Sequence, residues 1–363
     1  MESTFITGST GFVGKNLLKS LVKDTELTEF YLLVRNIEKA KRILAEIIEE
    51  AKRINKEVIF LEGNITKKYL SLSEDNTYLI KDVEEVYHLA ANISLSKKDR
   101  DNVTRVNLNG TINLFNMIKD FSRLKKTYYF STGYICGKGK QVVKEEWIID
   151  KKEFRNPYEE SKYLAERFIK EFTDSYNIPV TIIRPTIIGT DNKLKYKELV
   201  NQTIYYYADI LRKAVLLQEN NKPIRLVGKP DITFNLITIE DLIKILIKIR
   251  ALKQSSKIYH LASKSNFSVS SYLEGIKEAI GFNSEYKFVN TDDFKNTTVA
   301  ENFINKKTEN YFEYDLDSYI QLDVQNIQEI GKELEIEDRD NKWIKNHIKD
   351  FLLSTKNEFI KKI

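Results

Sequence analysis

Short apolar runs without polar alternation recur through the first 190 residues, separated by amphipathic stretches of helical length. Thr4 to Ile6, Phe30 to Val34, Val58 to Leu61, Val86 to Leu89, Thr127 to Phe130 and Val180 to Ile183 read as strands buried on both faces. Between them, Val13, Leu17, Leu18, Leu21 and Val22 share one helix face. Ala40, Ile43, Leu44, Ile47 and Ala51 share another, in a helix predicted over 37–55. Further helices are predicted near 105–122 and 158–176. Strands joined by helical crossovers are parallel and need cover on both faces. The expected fold is therefore α/β, a doubly wound parallel sheet with ligands beyond the strand carboxyl ends. After Gly189 the pattern loosens. A helix is predicted over 198–217 with consecutive Tyr205, Tyr206 and Tyr207, short strands at 224–227 and 234–237, a helix at 241–249, and a further sheet strand at 258–261. The expected organisation is a nucleotide-binding domain over 1–190 to which 223–262 returns strands and a helix. An interleaved, smaller substrate-binding region would comprise 191–222 and 263–363.

Of the 363 residues, 42% are hydrophobic, which supplies a sizeable core and excludes wholesale disorder. The single cysteine, Cys136, excludes an internal disulfide and reads as packing. His88, His260 and His347 lie far apart, so no metal site is expected. The net charge of +5 is mild and spread through mixed runs such as Lys151-Lys152-Glu153. It suits an acidic protein partner but not nucleic acid, for which no motif is present. No basic leader and no apolar stretch of membrane-spanning length is seen, so a cytoplasmic location without a transmembrane segment is expected.

The first strand runs into Gly8-Ser9-Thr10-Gly11-Phe12-Val13-Gly14. A glycine turn between strand and helix lets backbone N–H groups approach a pyrophosphate, which predicts nucleotide binding. The second strand ends in Val34-Arg35. An acidic residue there would bind a ribose 2′-hydroxyl, whereas a guanidinium can pair with a 2′-phosphate, so NADP(H) is expected over NAD(H). Tyr158 and Lys162 stand four residues apart at the start of a predicted helix, which puts phenol and ammonium on one face. A nearby cation lowers a phenol's pKa toward working pH, so Tyr158 is expected to pass a proton to a carbonyl oxygen. Thr132, at the end of the fifth strand, is expected to hydrogen-bond that oxygen, and Ser131 to support the backbone.

Taken together, Gly8-x-x-Gly11-x-x-Gly14, the Ala90-Ala91 pair, Asn107, Ser131-Thr132 and Tyr158-x-x-x-Lys162 resemble the extended short-chain dehydrogenase/reductase superfamily, whose fold is Rossmann-like. Leu32-Leu33-Val34-Arg35, Ser131-Thr132-Gly133-Tyr134, Asn156 through Glu166 and Ile183-Arg184-Pro185-Thr186-Ile187-Ile188-Gly189 are similar to its fatty acyl-CoA reductase and carrier-protein thioester reductase branch. The resemblance implies that Lys162 also holds the nicotinamide ribose and that Ala90 and Ala91 line the cofactor cleft. It further implies that Asn64 and Ile65 lie near the adenine, that Pro185 and Thr186 flank the nicotinamide, and that Asn107 supports the helix behind Lys162. Asn64 departs from the family's usual aspartate.

The implied activity is NADPH-dependent reduction of an acyl thioester to an aldehyde or alcohol. The acyl group would ride on coenzyme A or a carrier protein supplied in trans, walled by the 198–217 segment and the loops beyond Gly228. A ketone or aldehyde reductase, a sugar-nucleotide epimerase or dehydratase, and a non-catalytic NADP-sensing regulator are the alternatives. The Arg184-Pro185-Thr186 stretch disfavours the sugar-nucleotide members. Oligomeric state is left open.

Overall fold

Seven strands make the central sheet: β1 (Glu2–Thr7), β2 (Leu27–Val34), β3 (Glu57–Glu62), β4 (Glu85–His88), β5 (Lys126–Phe130), β6 (Val180–Pro185) and β7 (Ile258–Leu261). They lie in the order β3-β2-β1-β4-β5-β6-β7, and every neighbouring pair is parallel. The order reverses between β1 and β4, so the crevice beyond those two strands is the switch point of an α/β sheet. The computed structural model describes all residues except 1, 140, 151, 193–195, 201, 219–221, 253–256, 296, 318–319, 332–335 and 361–363. Residue 201 of the expected 198–217 helix therefore lies outside the described residues, as does residue 151 of the charged run.

The strands are apolar because both faces are covered. Phe5, Ile6, Phe30, Tyr87 and Ile183 are shut off from solvent, and the Tyr87 and Tyr128 rings stack at 4.6 Å. The end of the sheet opposite the crevice is closed by charge. Arg250 pairs there with Glu85 at 2.9 Å and Asp24 at 2.7 Å, pinning the helix Ile239–Ala251 beneath the strands.

Three local expectations change. The 37–55 helix divides into Ile37–Ile43 and Ala45–Arg53, because Leu44 leaves helical geometry at φ −103° and ψ 11°. The helix expected near 105–122 begins at Arg100, carries one turn of π-helix over Arg105–Asn109, and ends at Ile118. The return of 223–262 to the sheet is narrower than expected. Ile258–Leu261 joins it, but Ile224–Val227 pairs with Tyr286–Val289. The 234–237 strand splits at Asn235, into Thr233–Phe234 beside Phe267–Ser268 and Leu236–Thr238 beside Ile187–Gly189.

A second apolar core gathers the helices Thr203–Leu216, Val269–Ile280, Val299–Thr308 and Asn341–Ser354 around Tyr205, Phe267, Ile276 and Ile348. Two of these helices approach closely: a Cβ on Gly275 would lie 2.3 Å from the Lys345 carbonyl oxygen. Among the described residues, no helix is long and apolar enough to cross a membrane.

Candidate active site

The turn after β1 leaves no room for side chains. Gly8 has φ 79°, and a Cβ there would sit 2.6 Å from the Ala90 nitrogen. On Gly14 it would sit 2.2 Å from the Gly8 carbonyl oxygen. Helix α1 (Phe12–Leu21) starts after Gly11 with no side-chain cap and no acid in its first turn. Its first N–H groups are left without intrahelical partners. The Ser9 hydroxyl is buried and has no hydrogen-bond partner among the described residues. These features fit a dinucleotide pyrophosphate seated on Gly8 to Gly14, with Thr10, Phe12 and Val13 around it.

The turn is tied to β4 by a buried hydrogen-bonded chain. The Ala90 N–H donates to Thr7 Oγ1 at 3.3 Å, and Thr7 Oγ1 lies 2.8 Å from His88 Nδ1. His88 Nε2 lies 3.0 Å from Thr111 Oγ1, which donates to the Asn107 carbonyl at 2.6 Å. The last bond fixes the direction of the others, making Nε2 the donor and Nδ1 the acceptor. Burial, assisted by Lys162, holds His88 down to about 3, so it stays neutral. Asn107 sits in the π-helical turn. Its amide donates to Ser161 Oγ and to the Asn92 carbonyl, both at 2.9 Å, and its oxygen accepts the Asn92 N–H at 2.7 Å. Ser161 in turn donates to the Tyr158 carbonyl at 2.8 Å. The π-turn thus grips the first turn of the helix that bears Tyr158.

That helix, Pro157–Tyr176, is capped by Asn156, whose side chain accepts the Glu159 N–H at 3.0 Å, with proline in its first position. Thr132 and Tyr158 meet: both line one cavity, and the threonine side chain favours the ionised phenol. Lys162 is buried, donates to the Phe130 carbonyl at 2.6 Å, and lies 4.9 Å from the Tyr129 ring centre. The expected lowering of the Tyr158 phenol by Lys162 is not found. Burial pushes the phenol up to about 12, with the Thr132 side chain opposing and Glu159 adding to the rise. Burial also brings Lys162 down to about 7, against the pull of Glu166. The lysine nitrogen donates to the Phe130 carbonyl rather than to the phenol. Tyr158 is consequently a protonated donor.

Arg184 is fully buried and makes a two-pronged pair with Glu166, at 3.0 Å and 2.6 Å. It also reaches the Lys144 and Glu146 carbonyls and lies 3.2 Å from His260 Nε2. One side chain therefore ties β6, β7 and the 157–176 helix together beside the site. Thr186 follows β6 and donates to Asn235 Oδ1 at 3.1 Å. The Pro185 carbonyl accepts the Gly133 N–H at 2.9 Å, so both residues lie next to Thr132.

The other expected cofactor residues stand apart from this cluster. Arg35 is exposed just past β2 and pairs with no carboxylate among the described residues. The Asn64 side-chain oxygen is taken by the Thr66 N–H at 3.0 Å and its hydroxyl at 2.9 Å. Ile65 is buried, and a Cβ on Gly110 would lie 2.9 Å from its Cγ1. Ala90 and Ala91 are half-buried at the end of β4.

From Thr132 and Tyr158 a cavity of about 330 Å³ runs into the second core. Ile93, Ile188, Ile204, Ile232, Phe234 and Val269 give it apolar walls. Tyr207 lines it, whereas Tyr205 is fully buried, its hydroxyl accepting the Thr190 N–H at 3.1 Å and lying 2.7 Å from His347 Nε2. Sequence reasoning missed the segment that closes the cavity, with Tyr311, Tyr314 and Asp315 around the short helix Phe312–Asp317. Tyr314 accepts from the Asn156 amide at 2.7 Å, donates to Glu159 at 2.6 Å, and meets Tyr134 edge to face at 5.7 Å. No motif marks these residues. Only their spacing along one helix face links them.

Residues 6–240, more than half of the chain, match the NAD-binding family described as Male sterility protein. The chain belongs to that family. This Male sterility-type chain, an extended short-chain dehydrogenase/reductase, is 26% identical over 227 residues to the fatty acyl-CoA reductase wat of Drosophila melanogaster, covering 52% of this chain and 43% of that protein. It is 25% identical over 282 residues to a dTDP-D-glucose 4,6-dehydratase of Dictyostelium discoideum, covering 72% and 58%. The chain thus spans about half the length of these curated relatives. In fold it is similar to the terminal R domain from the myxalamid PKS-NRPS biosynthetic pathway. The TM-score is 0.77 at 17% identity, covering 99% of this chain and 91% of that one.

Proposed function

We propose that this Male sterility-type chain reduces an acyl thioester, carried on coenzyme A or on an acidic carrier protein, to an aldehyde or alcohol with NADPH. The observation that carries the reading is the cavity lining. Thr132 and Tyr158 open onto walls rich in isoleucine, phenylalanine and tyrosine, and among the described residues no lysine or arginine lines them. A sugar nucleotide brings a diphosphate whose charges need cations or clustered N–H donors, and an acyl chain needs neither.

A reduced nicotinamide, bound with its pyrophosphate on Gly8 to Gly14, supplies a hydride donor. The chain's own residues act on the thioester carbonyl oxygen. Thr132 and Tyr158 donate to it as it gains negative charge, and Tyr158 delivers the proton that makes the hemithioacetal. Loss of the thiol then leaves the aldehyde. Lys162, when protonated, would hold the nicotinamide ribose hydroxyls.

NADPH oxidation in the presence of an acyl-CoA, with the aldehyde and free thiol quantified, tests the reading. Reduction of simple ketones or aldehydes with thioesters left untouched would instead support the ketone-reductase reading, which shares the same proton donor.

Arg35→Asp is expected to weaken NADPH binding about 10- to 100-fold relative to NADH, because a carboxylate then faces the 2′-phosphate. Paired titrations of the two cofactors measure it, and an unchanged ratio removes Arg35 from that role. The pH profile carries a further expectation. Lys162 loses its proton as pH rises through about 7, so kcat/KM falls above that point. In Lys162→Arg, which keeps its charge, that limb disappears. A wild-type profile flat from pH 6 to about 9 speaks against an essential ammonium.

A further inference from the structure

One wall of the cavity holds a carboxyl group, one oxygen of which finds no partner among the described residues. Asp315 lines the cavity on the short helix Phe312–Asp317, and its Oδ2 is shielded from solvent without a hydrogen-bond partner among the described residues. No ion pair to its side chain is present among them; its backbone carbonyl accepts the Lys229 N–H at 3.0 Å, and tyrosines lie nearby. Tyr207 and Tyr311, whose rings meet at 6.4 Å and 86°, both feel its charge. Burial alone pushes the Asp315 carboxyl up to about 7.

Asp315 is half-buried, and a carboxylate oxygen shielded from water without a partner costs stability that an apolar atom would not. Its place on a cavity wall makes the cost intelligible if a ligand supplies the partner. A carboxylate flanked by tyrosine faces is complementary to an ammonium group, which gains from the charge and from the ring quadrupoles together.

We infer that the acyl group reduced here carries a protonated amine, received by Asp315 between Tyr207 and Tyr311. This rests on the thioester-reductase reading for its reacting end, while the amine site itself does not depend on turnover. The cavity also makes a purely aliphatic acyl chain a poor match, since its terminal carbons would bury the carboxyl further and satisfy nothing.

The test uses the full chain loaded with NADP and two probe series, primary n-alkylamines from propyl to octyl and the alcohols of equal length. Binding is followed by calorimetry. At its best length the amine is expected to bind at least about tenfold tighter than the alcohol, and Asp315→Asn to erase that preference. Equal affinities for amine and alcohol in the wild-type protein overturn the inference without any variant, as does a preference that survives in a folded Asp315→Asn protein. In turnover, 6-aminohexanoyl-CoA is compared with hexanoyl-CoA, and the ratio of their kcat/KM values should drop about 10-fold or more in Asp315→Asn. Amine binding as expected with no thioester reduced would sink the reductase reading and leave the amine site standing.

Discussion

Replacing Tyr158 by phenylalanine lowers kcat by about 10³-fold and leaves NADPH affinity within about twofold of wild type. The phenol lines the cavity beside Thr132 with a proton to give, and burial keeps that proton in place up to about pH 12. Phenylalanine keeps the ring and its packing but leaves the carbonyl oxygen with one donor. Thr132→Val, which removes the other donor at constant shape, costs about 10²-fold. Single-turnover absorbance and fluorescence titration of NADPH separate the two quantities. A phenylalanine variant that turns over at the wild-type rate assigns the proton to another group. Loss of cofactor binding in that variant would mean that the helix, not the chemistry, was damaged.

The second large effect is on stability. Glu166→Ala is expected to cost about 3–5 kcal/mol, because Arg184 would remain buried with its charge unmatched. Both groups are almost wholly enclosed, at 0% and 3% exposure, so water cannot replace the lost partner. Denaturant unfolding measures the loss. The double variant Arg184→Met, Glu166→Leu should recover a large part of it, since two matched apolar side chains bury no unpaired charge. A single variant within about 1 kcal/mol of wild type would show that the pair is better hydrated than its enclosure indicates.

Much of the sheet was legible because its signal is local. A strand covered on both faces must be apolar throughout, and Phe30 to Val34 or Val86 to His88 could hardly be anything else. The glycine turn was legible because Gly8 and Gly14 leave no space for a Cβ. That Thr132 and Tyr158 line one cavity follows from their strand-end and helix-start positions. The state of Lys162 was not legible, because spacing along a helix says nothing about burial or about the Phe130 carbonyl that takes its nitrogen. Leu44 gave no warning either, being a good helix former that nonetheless leaves helical geometry. The two- and three-residue strand pairs, such as Gln141–Val143 beside Ile320–Leu322, are too short for periodicity to register. Asp315 and Tyr311 were invisible as site residues because they reach the cavity from more than a hundred residues beyond its catalytic head.

Tyr314 makes catalysis and selectivity hard to separate in this architecture. It sits one residue from Asp315, yet its hydroxyl bridges Asn156 and Glu159, at the very turn that presents Tyr158. A chimera that imports the 311–317 segment from a homologue with different acyl preference would also import, or lose, the bolt on the proton donor. Engineers who swap that segment should carry Asn156 and Glu159 along with it.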